Sequence, residues 1–203
     1  MFSGQDFLNG KNTGFTLIEL MVAMVIGMIV FASVATTFIS QTRAYTAQEQ
    51  INEMEQNARG ALDIMSREIK MAGYKPNGGS VTGVVSYSSS SLTIQADLNG
   101  NGSVSTSGSD NEQITYTYDS ANKQITRQVG TATAATLAEN ISSFAFTYYQ
   151  SSGTTLATSS SDIRRIKIAI TAKTAKPDPS YSANSGYRTV DVSATITPIN
   201  LSL

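Results

Sequence analysis

The chain contains neither cysteine nor histidine in its 203 residues. The first absence removes disulfides, thiolate metal sites and cysteine nucleophiles together. The second removes the commonest general base, the usual zinc ligand and every Ser-His or Cys-His pair. Carboxylates, lysines and tyrosines remain, scattered without visible pairing, so no catalytic residue is assigned and the chain reads as a non-enzyme. Charge is also sparse. Charged residues make up 14% of the chain and the formal net charge is -1. With no basic block, no nucleic-acid partner is expected. There are only four prolines, and none lies between Thr16 and Ala72.

That proline-free stretch holds the main N-terminal feature. Leu20 to Ile39 reads LMVAMVIGMIVFASVATTFI, without a charge. About 20 apolar residues suffice for a helix to cross a bilayer. Apolar residues cover every face of it, which argues against a buried core helix with a single stripe. A cleaved secretory signal would have a shorter apolar region followed by small residues. Here the candidate processing residue, Gly14, comes before the apolar run. Orientation does not follow from charge: the leader carries Lys11 and Asp6, and Arg43 follows the span.

The helical pattern continues past Ser40. Ala47, Ile51, Met54, Ala58, Ala61, Met65, Ile69 and Ala72 recur in steps of three and four, one stripe of an amphipathic helix. Glu55 with Arg59 and Asp63 with Arg67 are i,i+4 pairs in the favourable order. Gly73 and Pro76 supply a stop. The expectation is one helix from Thr16 to Ala72, roughly 85 Å long at the α-helical rise.

After Pro76 the period becomes two. VTGVVSY, SLTIQAD, EQITYTYD, KQITRQV, ISSFAFTYYQ, DIRRIKIAITAKT and YRTVDVSATITP are short, alternating and rich in β-branched or aromatic residues. In EQITYTYD, Ile114, Tyr116 and Tyr118 share one face and Thr115 and Thr117 the other. DSANK, 119 to 123, reads as a hairpin turn. The expected fold class is therefore α+β: a long N-terminal helix, its apolar half transmembrane and its second half amphipathic, packed on an antiparallel β-sheet head. The loop 173 to 186 reads as a solvated connection. In DLNGNGSVSTSGSD, Asp97, Asn99 and Asn101 alternate before Gly102, the opening of a calcium loop. Its twelfth position is Gly108 rather than a bidentate glutamate, although Asp110 and Glu112 lie within reach. A Gly/Asn turn is the favoured reading over calcium.

The segment GFTLIELMVAM, residues 14 to 24, resembles the N-terminal signature of type IV prepilins and type II secretion pseudopilins. The resemblance implies cleavage after Gly14 by a prepilin peptidase on the cytoplasmic face, followed by N-methylation of Phe15. It implies a leader at 1–14, a transmembrane half at 15–40, an amphipathic half at 41–74 and a periplasmic β-rich head at 75–203. The chain would cross the bacterial inner membrane once before entering a pilus. A second resemblance, carried by ARGALDIMSREIKMAGY, DLNGNG, EQITYTYD and LAENISSFAFTYY, is to PilW-type minor pilins, whose relatives include the J-type minor pseudopilins. The implied partners are the peptidase, other minor and major pilins, the inner-membrane assembly platform and membrane lipids. The implied role is structural, at the filament tip or initiation complex; a J-like pseudopilin and a tip binding module are the alternatives.

Glu19 has a local reading and an assembly reading. Thr16-Leu-Ile-Glu19 fits a capping box, and the helix dipole favours a carboxylate in the first turn. In the family, a neighbour's carboxylate is thought to pair with the amine that cleavage creates at Phe15.

Overall fold

The structure, a computed structural model, describes residues 14–107 and 110–201. The rest of the expected leader and Gly108 lie outside the described residues. Two compact units are formed, Met1–Thr46 and Ala47–Leu203. Helix α1, Leu17–Lys70, contributes to both.

In the first unit the apolar side chains are exposed, from Leu17 at 76% to Phe38 at 69%. This part of α1 is long and apolar enough to cross a membrane. Five of its hydroxyls are compatible with hydrocarbon because they are satisfied locally. Ser33, Thr36, Thr37, Thr42 and Thr46 all donate to the carbonyl four residues earlier. No hydroxyl in this series needs a partner from water or another chain.

In the second unit the expected stripe is buried: Met54, Ala58, Ala61, Met65 and Ile69, with Ala72 just beyond the helix. Ala47 and Ile51 are half-buried. The two foreseen ion pairs form on the outer face, Arg59–Glu55 at 3.8 Å and Arg67–Asp63 at 2.5 Å. Exposure limits each to a few tenths of a kcal/mol. The helix stops at Lys70, two residues short of the expected Ala72. Gly73 sits at φ 80 and its N–H donates to the carbonyl of Gln95 at 2.8 Å. Residues 71–73 therefore turn toward a strand instead of extending the helix.

Eight strands follow. β1 (Val84–Tyr87), β2 (Ser91–Gln95), β3 (Gln113–Asp119), β4 (Gln124–Val129) and β5 (Ala135–Ala138) form one antiparallel sheet in chain order. β6 (Ile141–Tyr149), β7 (Arg165–Lys173) and β8 (Thr189–Ile196) form another. The single expected sheet is thus two. The break has a local cause. The Phe146 N–H donates to Ser89 in the β1–β2 turn, and Ile141 N–H to Lys123 in the β3–β4 turn, both at 2.8 Å. β6 meets turns of the first sheet, not a strand, so the ladder is interrupted. The strand not foreseen is β5, whose sequence ATLA has neither a β-branched alternation nor an aromatic residue.

The helix stripe and both sheets share one core. Met65 and Ile69 join Leu92, Tyr116 and Ile125 of the first sheet and Ile141, Phe144 and Phe146 of the second. Ring pairs reinforce it: Phe144 and Phe146 meet edge-to-face at 4.7 Å, Tyr87 and Tyr148 at 5.0 Å.

One close approach in this unit is sensitive to a single methyl. Gly130 has φ 50, and a Cβ there would lie 2.0 Å from the carbonyl oxygen of Thr106. That oxygen accepts from Thr131 N–H at 2.9 Å, so it is not free to retreat. Gly130→Ala should lower stability by about 2–3 kcal/mol. Urea unfolding of the full chain in detergent micelles, followed by tyrosine fluorescence, would show the reduced midpoint.

Candidate functional site

The N-terminal site is built on the first turn of α1. The Thr16 N–H and hydroxyl both donate to Glu19 Oε2 at 2.9 Å, and the Glu19 N–H donates to Thr16 Oγ1 at 3.3 Å. This is the capping box expected from T-L-I-E. It fixes the carboxylate at the helix start, four residues from Phe15, which is 89% exposed. Among the described residues, nothing lies within 4 Å of a Cβ added at Gly14. The described residues therefore supply no packing reason for glycine at 14.

The loop between β2 and β3 is organised by two buried carboxylates. Asp97 is 0% exposed and Glu112 1%. Asp97 Oδ1 accepts from the N–H groups of Gly100 at 2.8 Å and Asn101 at 3.2 Å, and Oδ2 from Gly102 at 2.9 Å. Glu112 accepts from Leu98 and Asn99, both at 3.1 Å, and from Ser105 at 2.7 Å. Asn99 Oδ1 accepts from Asn101 N–H, and Asn101 Oδ1 from the N–H and hydroxyl of Ser103. Thus the three candidate calcium ligands all hold backbone amides of their own loop. Among the described residues no group of three or more acidic, histidine or cysteine side chains is arranged to hold a metal. The amide bonds account for the loop's geometry, and no step is assigned to a cation. Glu112, noted from sequence as within reach, is the loop's second organiser.

The 173–186 loop is more constrained than a solvated connection. Thr174 is buried and its hydroxyl donates to Lys176. Arg188 pairs with Asp178 at 2.8 Å and stacks 4.8 Å over the ring of Tyr181. Ser180's backbone N–H first, and the Arg188 guanidinium second, hold the Asp178 carboxyl below the usual aspartate range. A polar cleft of about 580 Å³ lies between the Gln50–Asn57 part of α1 and the end of β5, with Glu53, Glu139 and Lys173 in its walls.

Sequence reasoning missed a partly buried ionic network in the second unit. Arg127 of β4 binds Glu68 of α1 through Nε at 3.1 and 3.0 Å and through Nη2 at 2.7 Å. The hydroxyl of Tyr116, on β3, donates to the same carboxylate. Arg127 also donates to Asn111 at 3.2 Å. Tyr116 and Arg127 are direct cross-strand partners. A signal existed. Glu68 lies three residues after Met65 and four before Ala72, a stripe position occupied by a charge.

Two family models match the chain. Residues 9–35 match the prokaryotic N-terminal methylation motif, and residues 47–190 match prepilin peptidase-dependent protein B. The chain belongs to the prepilin peptidase-dependent protein B family. It is a type IV pilin-family protein with a prepilin N-terminus. A solved type IV-like pilin from Thermus thermophilus is similar at 12% identity, with a TM-score of 0.46 over 72% of this chain and 97% of that one. Comparison with curated proteins gives no match. Membership in the pilin family supports a prepilin peptidase and pilin-type subunits as partners, membrane anchoring through the apolar part of α1, and a structural role.

Proposed function

We propose that this pilin-family chain is a PilW-type minor pilin that joins other minor pilins at the filament tip or initiation complex. The observation that carries the reading is the apolar part of α1. Its large apolar side chains from Leu17 to Ile39 are exposed. Such a surface needs lipid before assembly and neighbouring helices afterwards. The roles of the parts follow. The leader 1–14 is removed, 15–40 spans the inner membrane, 41–74 is the amphipathic connection and 75–203 is the periplasmic head. Cleavage after Gly14 frees the amine of Phe15 for methylation. The lack of a packing contact at Gly14 among the described residues supports this, because the requirement for glycine then comes from the peptidase. Glu19 caps the helix in the bilayer and pairs with a neighbouring subunit's terminal amine in the filament.

Mass spectrometry of the mature N-terminus tests the reading. Chain from peptidase-competent cells should begin at methylated Phe15. Gly14→Leu should leave the leader attached and reduce the mature species at least tenfold, while membrane insertion persists. An intact leader on the wild-type chain would remove the basis for the proposal. Loss of pili rather than of secreted proteins in a deletion strain separates the minor pilin from a J-like pseudopilin.

A further inference from the structure

Three Asn–Gly links fall in the described residues: Asn77–Gly78, Asn99–Gly100 and Asn101–Gly102. Such links are chemically fragile. The backbone nitrogen of the glycine attacks the asparagine side-chain carbon. A C–N bond forms, the amide proton is lost, and the side-chain nitrogen leaves as ammonia. Water then opens the resulting succinimide to aspartate or isoaspartate. Glycine permits this because it has no side chain to hinder the approach. By sequence the three links are equivalent. By structure they are not.

The attacking nitrogens of the second and third links are both held by one carboxylate. The Gly100 N–H donates to Asp97 Oδ1 at 2.8 Å, and the Gly102 N–H to Asp97 Oδ2 at 2.9 Å. Asp97 is 0% exposed. Attack requires each nitrogen to lose its proton and to turn toward the side-chain carbon. Losing the proton beside a carboxylate sets two negative charges together, and turning breaks a charge-assisted bond. The side chains are held as well, with Asn99 Oδ1 on Asn101 N–H at 2.9 Å and Asn101 Oδ1 on Ser103 N–H at 2.9 Å.

Asn77–Gly78 lacks this arrangement. The Gly78 N–H donates to a neutral acceptor, the carbonyl of Lys75, at 3.3 Å. Asn77 and Gly78 are both exposed. Asn77 nonetheless holds two segments together. Its Nδ2 donates to the carbonyl of Gly100 at 2.6 Å, tying the turn after α1 to the Asp97 loop. Conversion to aspartate would replace that donor with an acceptor facing an acceptor.

We propose that Asp97 protects the Asn99–Gly100 and Asn101–Gly102 links against succinimide formation, leaving Asn77–Gly78 as the modification site whose deamidation unties the two turns. The experiment uses the full chain in detergent micelles, aged in mildly alkaline buffer and mapped by peptide mass spectrometry with separation of aspartate and isoaspartate. In the folded wild type, deamidation at Asn77 should run about tenfold or more ahead of Asn99 and Asn101, the effect of one charge-assisted hydrogen bond. In urea the three rates should converge. Asp97→Asn should raise the Asn99 and Asn101 rates about tenfold and leave Asn77 unchanged. Glu112→Gln is the control, since it loosens the same loop through Leu98, Asn99 and Ser105 without touching Gly100 or Gly102. Equal rates at all three links in the folded wild type would overturn the proposal. So would Glu112→Gln accelerating Asn99 and Asn101 as much as Asp97→Asn does while Gly100 and Gly102 amides stay protected from hydrogen exchange. The wild-type comparison of folded and unfolded protein does not depend on either variant folding.

Discussion

Glu19→Ala is expected to leave the chain in the inner membrane and to reduce its recovery in sheared filaments at least tenfold. The cap and the proposed pairing would both fail in this variant, so the controls carry the distinction. As a cap, Glu19 holds the Thr16 N–H and hydroxyl. Losing that arrangement costs about 1 kcal/mol in the first turn, too little to keep a helix with an apolar stretch of this length out of a bilayer. Glutamine also serves at the third position of a capping box. Glu19→Gln should therefore keep the turn while removing the charge. In the pairing model it fails nearly as badly as alanine, because a neighbour's ammonium loses its counter-charge among apolar helices. In a capping-only model it assembles almost normally. Thr16→Ala is the converse: it weakens the cap, keeps the charge and should assemble. Quantitative blotting of filament and membrane fractions reads all three. Normal assembly of Glu19→Gln would end the pairing model and leave the cap as the explanation.

The contrast between the two ends of α1 explains what could be seen in the sequence. The capping box, the apolar span and the buried stripe are local. Each follows from residues one to four apart, and Thr16, Glu19, Met54, Ala58 and Met65 are where their spacing put them. The hairpin at 119–123 was legible for the same reason: Asp119 Oδ1 accepts from the N–H groups of Ala121 and Asn122 within its own turn. What was illegible depends on distant partners. β5 is a strand because β4 offers an edge to it, not because ATLA prefers extension. The division into two sheets depends on where Ser89 and Lys123 place their carbonyls. In the candidate loop, alternation at 97, 99 and 101 read as the opening of a calcium loop, with a Gly/Asn turn favoured over it. The direction in which the oxygens face was not in the pattern, because the loop is also held from the distant Glu112, which accepts from the Asn99 and Ser105 N–H groups.

Glu68→Ala should destabilise the Ala47–Leu203 unit by about 3 kcal/mol. Glu68 and Arg127 are each about three-quarters buried at the side chain, 25% and 23% exposed, so solvent screens the pair only partly. Removing the carboxylate strands a guanidinium that keeps a hydrogen bond to Asn111 but no counter-charge from Glu68, and leaves the hydroxyl of the fully buried Tyr116 without its acceptor. A stranded, partly buried charge and an unsatisfied hydroxyl together give the stated magnitude. Tyr116→Phe removes only the hydroxyl and should cost about 1 kcal/mol. The decisive variant is the double change Glu68→Met with Arg127→Met. It removes both charges and restores apolar volume, so it should be more stable than Glu68→Ala. If it is instead less stable than the single variant, the pair itself is stabilising and the desolvation argument is wrong. Alkaline pH provides an independent readout. Burial first, then the Glu68 carboxylate, raises the Tyr116 hydroxyl far above its ordinary range, and burial does the same for Tyr148. The folded state therefore keeps protons that the unfolded chain releases above about pH 10. The unfolded state then binds fewer protons, so stability is complete below that pH and falls as pH rises, by about 1.4 kcal/mol per pH unit for each buried tyrosine. Tyr116→Phe should make this slope shallower, and urea midpoints collected across the alkaline range would show whether it does.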